Sequence, residues 1–584
     1  MAATGIPETI SKFARQRNAP LILELDLTDG LLETRPSDPV QALMSRHQPT
    51  VTDVLSGLKL ARDDERVKAL VVKVGGRPIG LGVVQELREA VRRLGEAGKP
   101  TYAWAETFGE FSAGNLPYYL ATAFETIYMQ PSGDLGLTGV ALERVFLRGS
   151  LDKLGISLDV GARHEYKSAA EQLTETGFSP ANLEATKRMA ESVIEQLADA
   201  VAERAGSTRD DATKLLTGGP YSAEQGLAAG LIDVLGYRDE VYAAVRKRVK
   251  ADEDTVLLFV GRYQRLKELR DRLKQLPSGP KRQGAVALIN AAGEIRRGRN
   301  GRGSPVGGGT AMGSDSITAM LRTAAADPHI KAILLRVNSP GGSYVASDAI
   351  WREVVRARNA GKPVVVSMGN VAASGGYFIS MSADAIVAQP GTITGSIGVI
   401  TAKPVLADAY GKIGVSTDSV VLGKHAGMFS TAHSWSSEEW SVVDSWLDRI
   451  YADFTGKVAA GRGLSAERVH ELARGRVWTG ADAREHGLVD ELGGMEDALA
   501  IARSRAGLPD SAPLVHFPRL GPLDRLRPAS NSEDRRAAAA ASVSLTGLVA
   551  TLFPESWGPV WEAAAQCGLP ATGPLLLPGS WTFS

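Results

Sequence analysis

The stretches "YMQPSGDLGLTGVAL", residues 128–142, and "VAQPGTITGSIGVIT", residues 387–401, carry one pattern twice. In each, an apolar run meets Gln-Pro, a glycine-rich turn follows, and a second apolar run begins. Pro131 and Pro390 are 259 positions apart. Upstream, "GKPTYAWA" at 98–105 is answered by "GKPVVVSM" at 361–368; downstream, "YSAEQGLAAGLIDVLG" at 221–236 is answered by "WTGADAREHGLVDELG" at 478–493. Features recurring in the same order at a near-constant offset indicate an internal duplication. Within each half, β-rich runs such as "ALVVKV" (69–74) and "AILLRV" (332–337) alternate with helical stretches such as "VVQELREAVRRLGEAG" (83–98) and "ASDAIWREVVRARNAG" (346–361). That alternation predicts stacked β-α units, so the fold class is α/β, in tandem copies.

The expected organisation is an N-terminal repeat over 15–250, a basic linker helix over 251–283, a C-terminal repeat over 284–505 and an apolar tail over 506–584. In the linker, Leu266, Leu269, Leu273 and Leu276 fall on one helical stripe among Lys and Arg. Such a helix either packs on its own domains or lies on an anionic membrane surface. The N-terminus has no apolar run behind Lys12, Arg15 and Arg17 and does not read as a secretory signal. The uncharged stretch 537–553, "AAAAASVSLTGLVATLF", is just short of a membrane-spanning length and reads as an amphipathic or surface-seeking helix, with a membrane anchor as the alternative.

Composition narrows the chemistry. Lys plus Arg and Asp plus Glu balance at 66 each, which gives no overall reason to expect nucleic acid as a partner. A single cysteine, Cys567, leaves no intramolecular disulfide, and the eight histidines show no metal-ligand spacing; "HELAR" at 470–474 lacks the second histidine of a zincin helix. The expectation is a mechanism with no metal and no cofactor.

The run "AILLRV" leads into "NSPGGS" at 338–343, then "VAASGGYFIS" at 371–380, then "TGSIGV" at 394–399. Ser374 is either a nucleophile or a turn serine, since Ser-Gly-Gly is common turn chemistry. Glycines after a strand let backbone N–H groups face a cleft, so Gly341, Gly342 and Gly375 are candidates for an oxyanion hole.

In this order, and in the second of two repeats, "NSPGG", "ASGGY" and "TGSIGV" resemble the signal peptide peptidase A family, also called protease IV, over roughly residues 15–505. The resemblance implies tandem ClpP/crotonase-like domains and a serine-lysine dyad that cleaves membrane-derived peptides, including remnant signal peptides. In long members the serine comes from the second half and the lysine from the first. Carried over, the nucleophile falls on Ser374, the general base on Lys167 in "EYKSA", and the serine that bonds the lysine amine on Ser396. The offset agrees: Ser374 corresponds to Asn115 in the first half, and Lys167 to Ala426 in the second. A free lysine is protonated at neutral pH, so the assignment requires burial to lower its pKa. Lys424, in "GKHAG", lies close enough to position 426 to be a rival base.

The resemblance further implies a homo-oligomer, plausibly a tetramer, acting on peptides, while the basic stripe and the apolar tail suggest peripheral membrane contact; nucleic acid is not expected. A Ser-His-Asp protease on this fold needs a histidine soon after the serine, and none occurs between His329 and His425. A crotonase-type acyl-CoA enzyme would need a placed acidic pair. An inactive peptide- or membrane-binding scaffold is the alternative from another class.

Overall fold

A computed structural model describes residues 19–35, 45, 48–274, 284–302, 310–518 and 575–576. In the first half, β1 (Leu21–Asp26), β2 (Val67–Lys73), β3 (Thr101–Ala105), β4 (Thr126–Met129), β5 (Val234–Leu235) and β6 (Val256–Phe259) form a parallel sheet in the order β5-β4-β3-β2-β1-β6. The second half has β7 (Ala285–Ala292), β8 (Ile330–Ser339), β9 (Val364–Ala373), β10 (Ala385–Ala388), β11 (Ile393–Gly395), β12 (Val477–Thr479), β13 (Glu491–Leu492) and β14 (Leu514–Phe517). Its path β13-β10-β9-β8-β7-β14 repeats the first sheet strand for strand. From β9 a branch, β11, pairs antiparallel with β12, as Asp134–Leu135 pairs with Tyr221–Ser222 in the first half.

The strands are apolar on both faces because helices cover both faces of a parallel sheet. Ile330, Ile333, Leu334, Leu335 and Val337 of β8 are wholly buried. The helix Leu81–Glu96 turns Leu81, Val84, Leu87, Val91 and Leu94 to the core of the first half, at the spacing an amphipathic helix requires. Each sheet takes its outermost strand from beyond the repeat as read in the sequence: β6 lies past residue 250 and β14 past residue 505. The helix Val260–Lys274 then packs against the helix Val51–Arg62 through Val260, which meets Gly57, and Tyr263, whose hydroxyl donates to the Leu60 carbonyl at 3.2 Å. Lys267 of the basic stripe is bound to Asp64 at 3.0 Å, so part of its charge serves the fold. Leu266 packs on the first core. The side chains of Leu269 and Leu273, all of Leu276, and the stretch 537–553 lie outside the described residues. Among the described residues no helix is long and apolar enough to cross a membrane.

Two features lock the halves together. Arg336 of β8, with 2% of its side chain exposed, donates to both carboxylate oxygens of Glu86 at 2.6 and 2.9 Å and to Glu33 at 2.9 Å. A buried guanidinium needs such partners, since removing one leaves an uncompensated charge. The second feature is an arm: Ser157–Ala162 of the first half pairs antiparallel with Ile400–Val405 of the second, from Ser157 opposite Val405 to Ala162 opposite Ile400. Lys167 lies five residues beyond one of these strands, and Ser396 four residues before the other.

Candidate active site

At the end of β9 the chain turns sharply. Ser374 has φ 54°, an uncommon value for a residue with a side chain, and the short helix Gly375–Phe378 starts immediately after it. The turn is held by backbone groups: Ser374 N–H donates to the Gly395 carbonyl at 2.8 Å, and the Ser374 carbonyl accepts from Phe378 N–H at 2.8 Å. The hydroxyl is therefore not consumed by the turn. Glycine follows because space is lacking: a Cβ on Gly375 would sit 2.8 Å from Ser347 Oγ and 3.0 Å from Gly341 Cα, and one on Gly376 2.5 Å from the Ser339 carbonyl oxygen.

The arm delivers Lys167 to this hydroxyl from the other half of the molecule. Lys167 Nζ lies 2.9 Å from Ser374 Oγ, 2.9 Å from Ser396 Oγ and 3.0 Å from the Ser396 carbonyl oxygen. Lys167 is 3% exposed and both serines are wholly buried. Burial alone pulls the amine down from 10.5 to about 7. A neutral amine has two N–H donors and one lone pair. Three oxygens around it match that set, with the two Ser396 oxygens accepting and the Ser374 hydroxyl donating.

A turn not foreseen from the sequence supports the lysine. Gly475, at φ 85°, packs so closely that a Cβ would lie 2.5 Å from both Lys167 N and Lys167 Cβ. Its neighbours bind both sides of the site: the Arg474 carbonyl accepts from Tyr166 N–H at 3.2 Å, and the Arg476 carbonyl from Ser396 N–H at 2.7 Å. The guanidinium groups of Arg474 and Arg476 lie 5.4 and 5.0 Å from the centre of the Tyr166 ring. Arg476 also donates to Glu184 at 2.8 Å, and Tyr451 accepts at its hydroxyl from Arg474 N–H at 3.3 Å. The only signal in the sequence is a glycine between two arginines, which acquires meaning once Lys167 is seen beside it.

The three glycines separate in role. Gly341 N–H points to Ser339 Oγ at 3.2 Å. Gly342, at φ 146°, passes so near Ile295 that a Cβ would lie 2.2 Å from its carbonyl oxygen. The Gly342 nitrogen lies 3.1 Å from where a Cβ on Gly375 would be, so the two residues face each other. Gly375 N–H is at the first position of its helix, where no intrahelical acceptor exists. Along the outer edge of Gly341–Gly342 runs a short antiparallel strand from the tail of this chain, Leu576 opposite Gly341 and Leu575 opposite Gly342. Lys424, the rival base, is on the surface with 64% of its side chain exposed, 3.3 Å from Glu438.

Comparison with known proteins bears on this geometry. The profile of Peptidase family S49 matches residues 93–252 and 356–509, one segment in each half, and that of Clp protease matches 308–391. "Serine protease SPPA, chloroplastic" of Arabidopsis thaliana is 32% identical over 447 residues, 76% of this chain and 64% of the plant protein. "Protease 4" of Salmonella typhi is 33% identical over 468 residues, 78% of this chain and 72% of that one. "Protease 4" of Haemophilus influenzae is 32% identical over 498 residues, 82% and 78% of the two chains. The chain belongs to Peptidase family S49, as a serine peptidase of the long type built from tandem duplicated ClpP-like domains.

Proposed function

We propose that the protein cleaves membrane-derived peptides, remnant signal peptides among them, with Ser374 as nucleophile and Lys167 as general base. The observation that carries this reading is the buried amine, near neutral pKa, 2.9 Å from the serine hydroxyl with no carboxylate bonded to it. Ser374 Oγ attacks the peptide carbonyl carbon while its proton passes to Lys167 Nζ. The oxyanion that forms takes hydrogen bonds from the N–H groups of Gly342 and Gly375. When the C–N bond breaks, the ammonium returns the proton to the leaving amine. Lys167 then deprotonates the water that releases the acyl group from Ser374. Ser396 holds the amine with its lone pair toward Ser374.

Peptide binding is supported by the strand Leu575–Leu576 beside Gly341–Gly342: an extended backbone fits that edge. Substrates that bind in this way are extended. Peripheral association with the membrane that supplies them belongs to the same reading, through the basic helix or the stretch 537–553. The test is hydrolysis of a synthetic leucine-rich signal-type peptide, followed by mass spectrometry. Cleavage by the wild type but not by Ser374→Ala is expected; equal cleavage by both would overturn the assignment. A protein that neither cleaves nor accepts a fluorophosphonate at Ser374 would be a scaffold.

A further inference from the structure

One of the two N–H groups aimed at the oxyanion belongs to a glycine pair, and a glycine pair does not hold its own shape. Gly341 and Gly342 have φ 104° and 146°, values that favour glycine, and neither has a side chain to lock the peptide between them. Gly342 is fixed from its far side, where Ser343 N–H donates to the Ile295 carbonyl at 2.8 Å. Gly341 is fixed from its near side by Ser339, whose hydroxyl oxygen accepts from Gly341 N–H at 3.2 Å. Ser339 ends β8, is wholly buried, and stands opposite Ala372 of β9, two residues before the nucleophile. Its carbonyl oxygen would lie 2.5 Å from a Cβ on Gly376. A single residue thus touches both the turn that carries Gly342 and the turn that carries Ser374 and Gly375.

The first half is the control. "ALVVKVGGRPIG" at 69–80 matches "AILLRVNSPGGS" at 332–343, with Ala69 opposite Ala332 and Gly80 opposite Ser343, an offset of 263 that the "GKP" stretches at 98 and 361 share. Strand pairing agrees: Leu70 is opposite Thr101 as Ile333 is opposite Val364, and Gly80 and Ser343 both precede the first residue of the next helix. Ser339 then corresponds to Gly76, Gly341 to Pro78 and Gly342 to Ile79. The hydroxyl is gone from that half, and so is the N–H it would bind, since proline has none. There the turn is held by another bond, from Arg77 N–H to the Thr28 carbonyl at 2.9 Å. Acceptor and donor are both present beside Ser374 and both absent beside Asn115.

We infer that Ser339 is a positioning residue for the peptidase reaction: by holding Gly341 N–H, its hydroxyl sets the Gly341–Gly342 peptide so that Gly342 N–H and Gly375 N–H converge on the oxyanion. It acts through Gly342 and not through Lys167, whose amine is bonded to Ser374 and Ser396. Without the hydroxyl, Gly341 N–H is left buried with no acceptor from Ser339, and the peptide gains by turning toward another. A turned peptide takes Gly342 N–H off its line to the developing charge, where a preorganised donor has its largest effect. This role presupposes the peptidase reading of Ser374 and Lys167, and the experiment separates the two.

Ser339→Ala and Ser339→Thr are compared with the wild type on the leucine-rich peptide and on the matching peptide aldehyde, whose adduct with Ser374 puts an oxygen where the oxyanion forms. In Ser339→Ala, kcat should fall roughly 10- to 100-fold with KM changed less than twofold, and the aldehyde should bind more weakly by a factor close to the loss in kcat. The pH profile of fluorophosphonate labelling should keep the wild-type midpoint, because Lys167 is untouched. Ser339→Thr, which retains the hydroxyl, should recover most of the rate; should the extra methyl prevent folding, as calorimetry would show, the three readouts on Ser339→Ala decide alone. A wild-type kcat in Ser339→Ala would overturn the inference. So would a loss confined to KM with aldehyde affinity unchanged, or a displaced midpoint, which would put the effect of the hydroxyl on the amine. A wild type inert to peptide, aldehyde and fluorophosphonate alike would refute the peptidase reading itself and this role with it.

Discussion

In the second half the turn after β9 presents Ser374 to Lys167; in the first half the same turn presents Asn115 to nothing chemical. The scaffolds match closely. Gly114 N–H donates to the Gly136 carbonyl at 2.8 Å as Ser374 N–H does to that of Gly395, and Tyr118 hydroxyl donates to the Leu231 carbonyl at 2.9 Å as Tyr377 does to that of Leu488. What differs is strain and polarity. Asn115 is not among the residues with positive φ, whereas Ser374 and Ser396 have φ 54° and 49°. In place of Ser396 stands Leu137, wholly buried in the apolar core, and Asn115 gives its amide to the Gly139 carbonyl at 2.9 Å. Packing contacts were kept in both copies, while the positive φ and the buried hydroxyls of Ser374 and Ser396 have no counterpart at Asn115 and Leu137. In the proposed dyad the first half contributes the base and the second the nucleophile.

That contrast breaks most easily at the dyad. Ser374→Ala and Lys167→Ala should each lower kcat/KM by at least about 10³-fold, and the double variant little further, because the two act as one unit. An additive loss in steady-state peptide hydrolysis would show that they act independently. Ser396→Ala leaves the amine with one acceptor fewer, and a loss of about 10- to 100-fold is expected, in kcat more than in KM. An effect confined to KM would place Ser396 in substrate binding.

Stability gives a sharper contrast. Lys167 releases its proton near 7 when folded and near 10.5 when unfolded. Between those values the unfolded chain holds the extra proton, so stability rises with pH through that range and the amine costs most at and below pH 7. Lys167→Met, of similar length but without the charge, should raise the melting temperature by several degrees at pH 6 and by less at pH 10. Scanning calorimetry showing the larger gain at pH 10 would contradict the buried neutral amine. The smallest effect is expected from the first half: Asn115→Ser in a Ser374→Ala background should gain no fluorophosphonate labelling, since Leu137 and the absence of an aligned lysine leave the new hydroxyl without a base.

The duplication and the α/β class were legible because their signals are local or because each half is a control for the other. Asn115 opposite Ser374 is informative only in a chain that carries both. The arm pairing of Ser157–Ala162 with Ile400–Val405 was not legible: neither segment has a strong strand pattern, and their partners lie more than 200 residues apart. The turn at Arg474–Gly475–Arg476 was missed for the same reason, since its glycine is required by Lys167 and not by its own neighbours. Gly341 and Gly342 looked alike in sequence, and only the bond from Gly341 to Ser339 separates them. Lys424 was a rival on spacing alone, and its side chain lies on the surface beside Glu438.

The central claim, a dyad assembled from both halves, is tested most directly by the rate at which a fluorophosphonate modifies Ser374 as a function of pH. The wild type and Lys424→Ala should share a profile that rises through a single ionisation near pH 7, while Lys167→Ala stays slow and flat across it. A Lys167→Ala protein, folded by calorimetry, that keeps the wild-type profile while Lys424→Ala loses it would contradict the account.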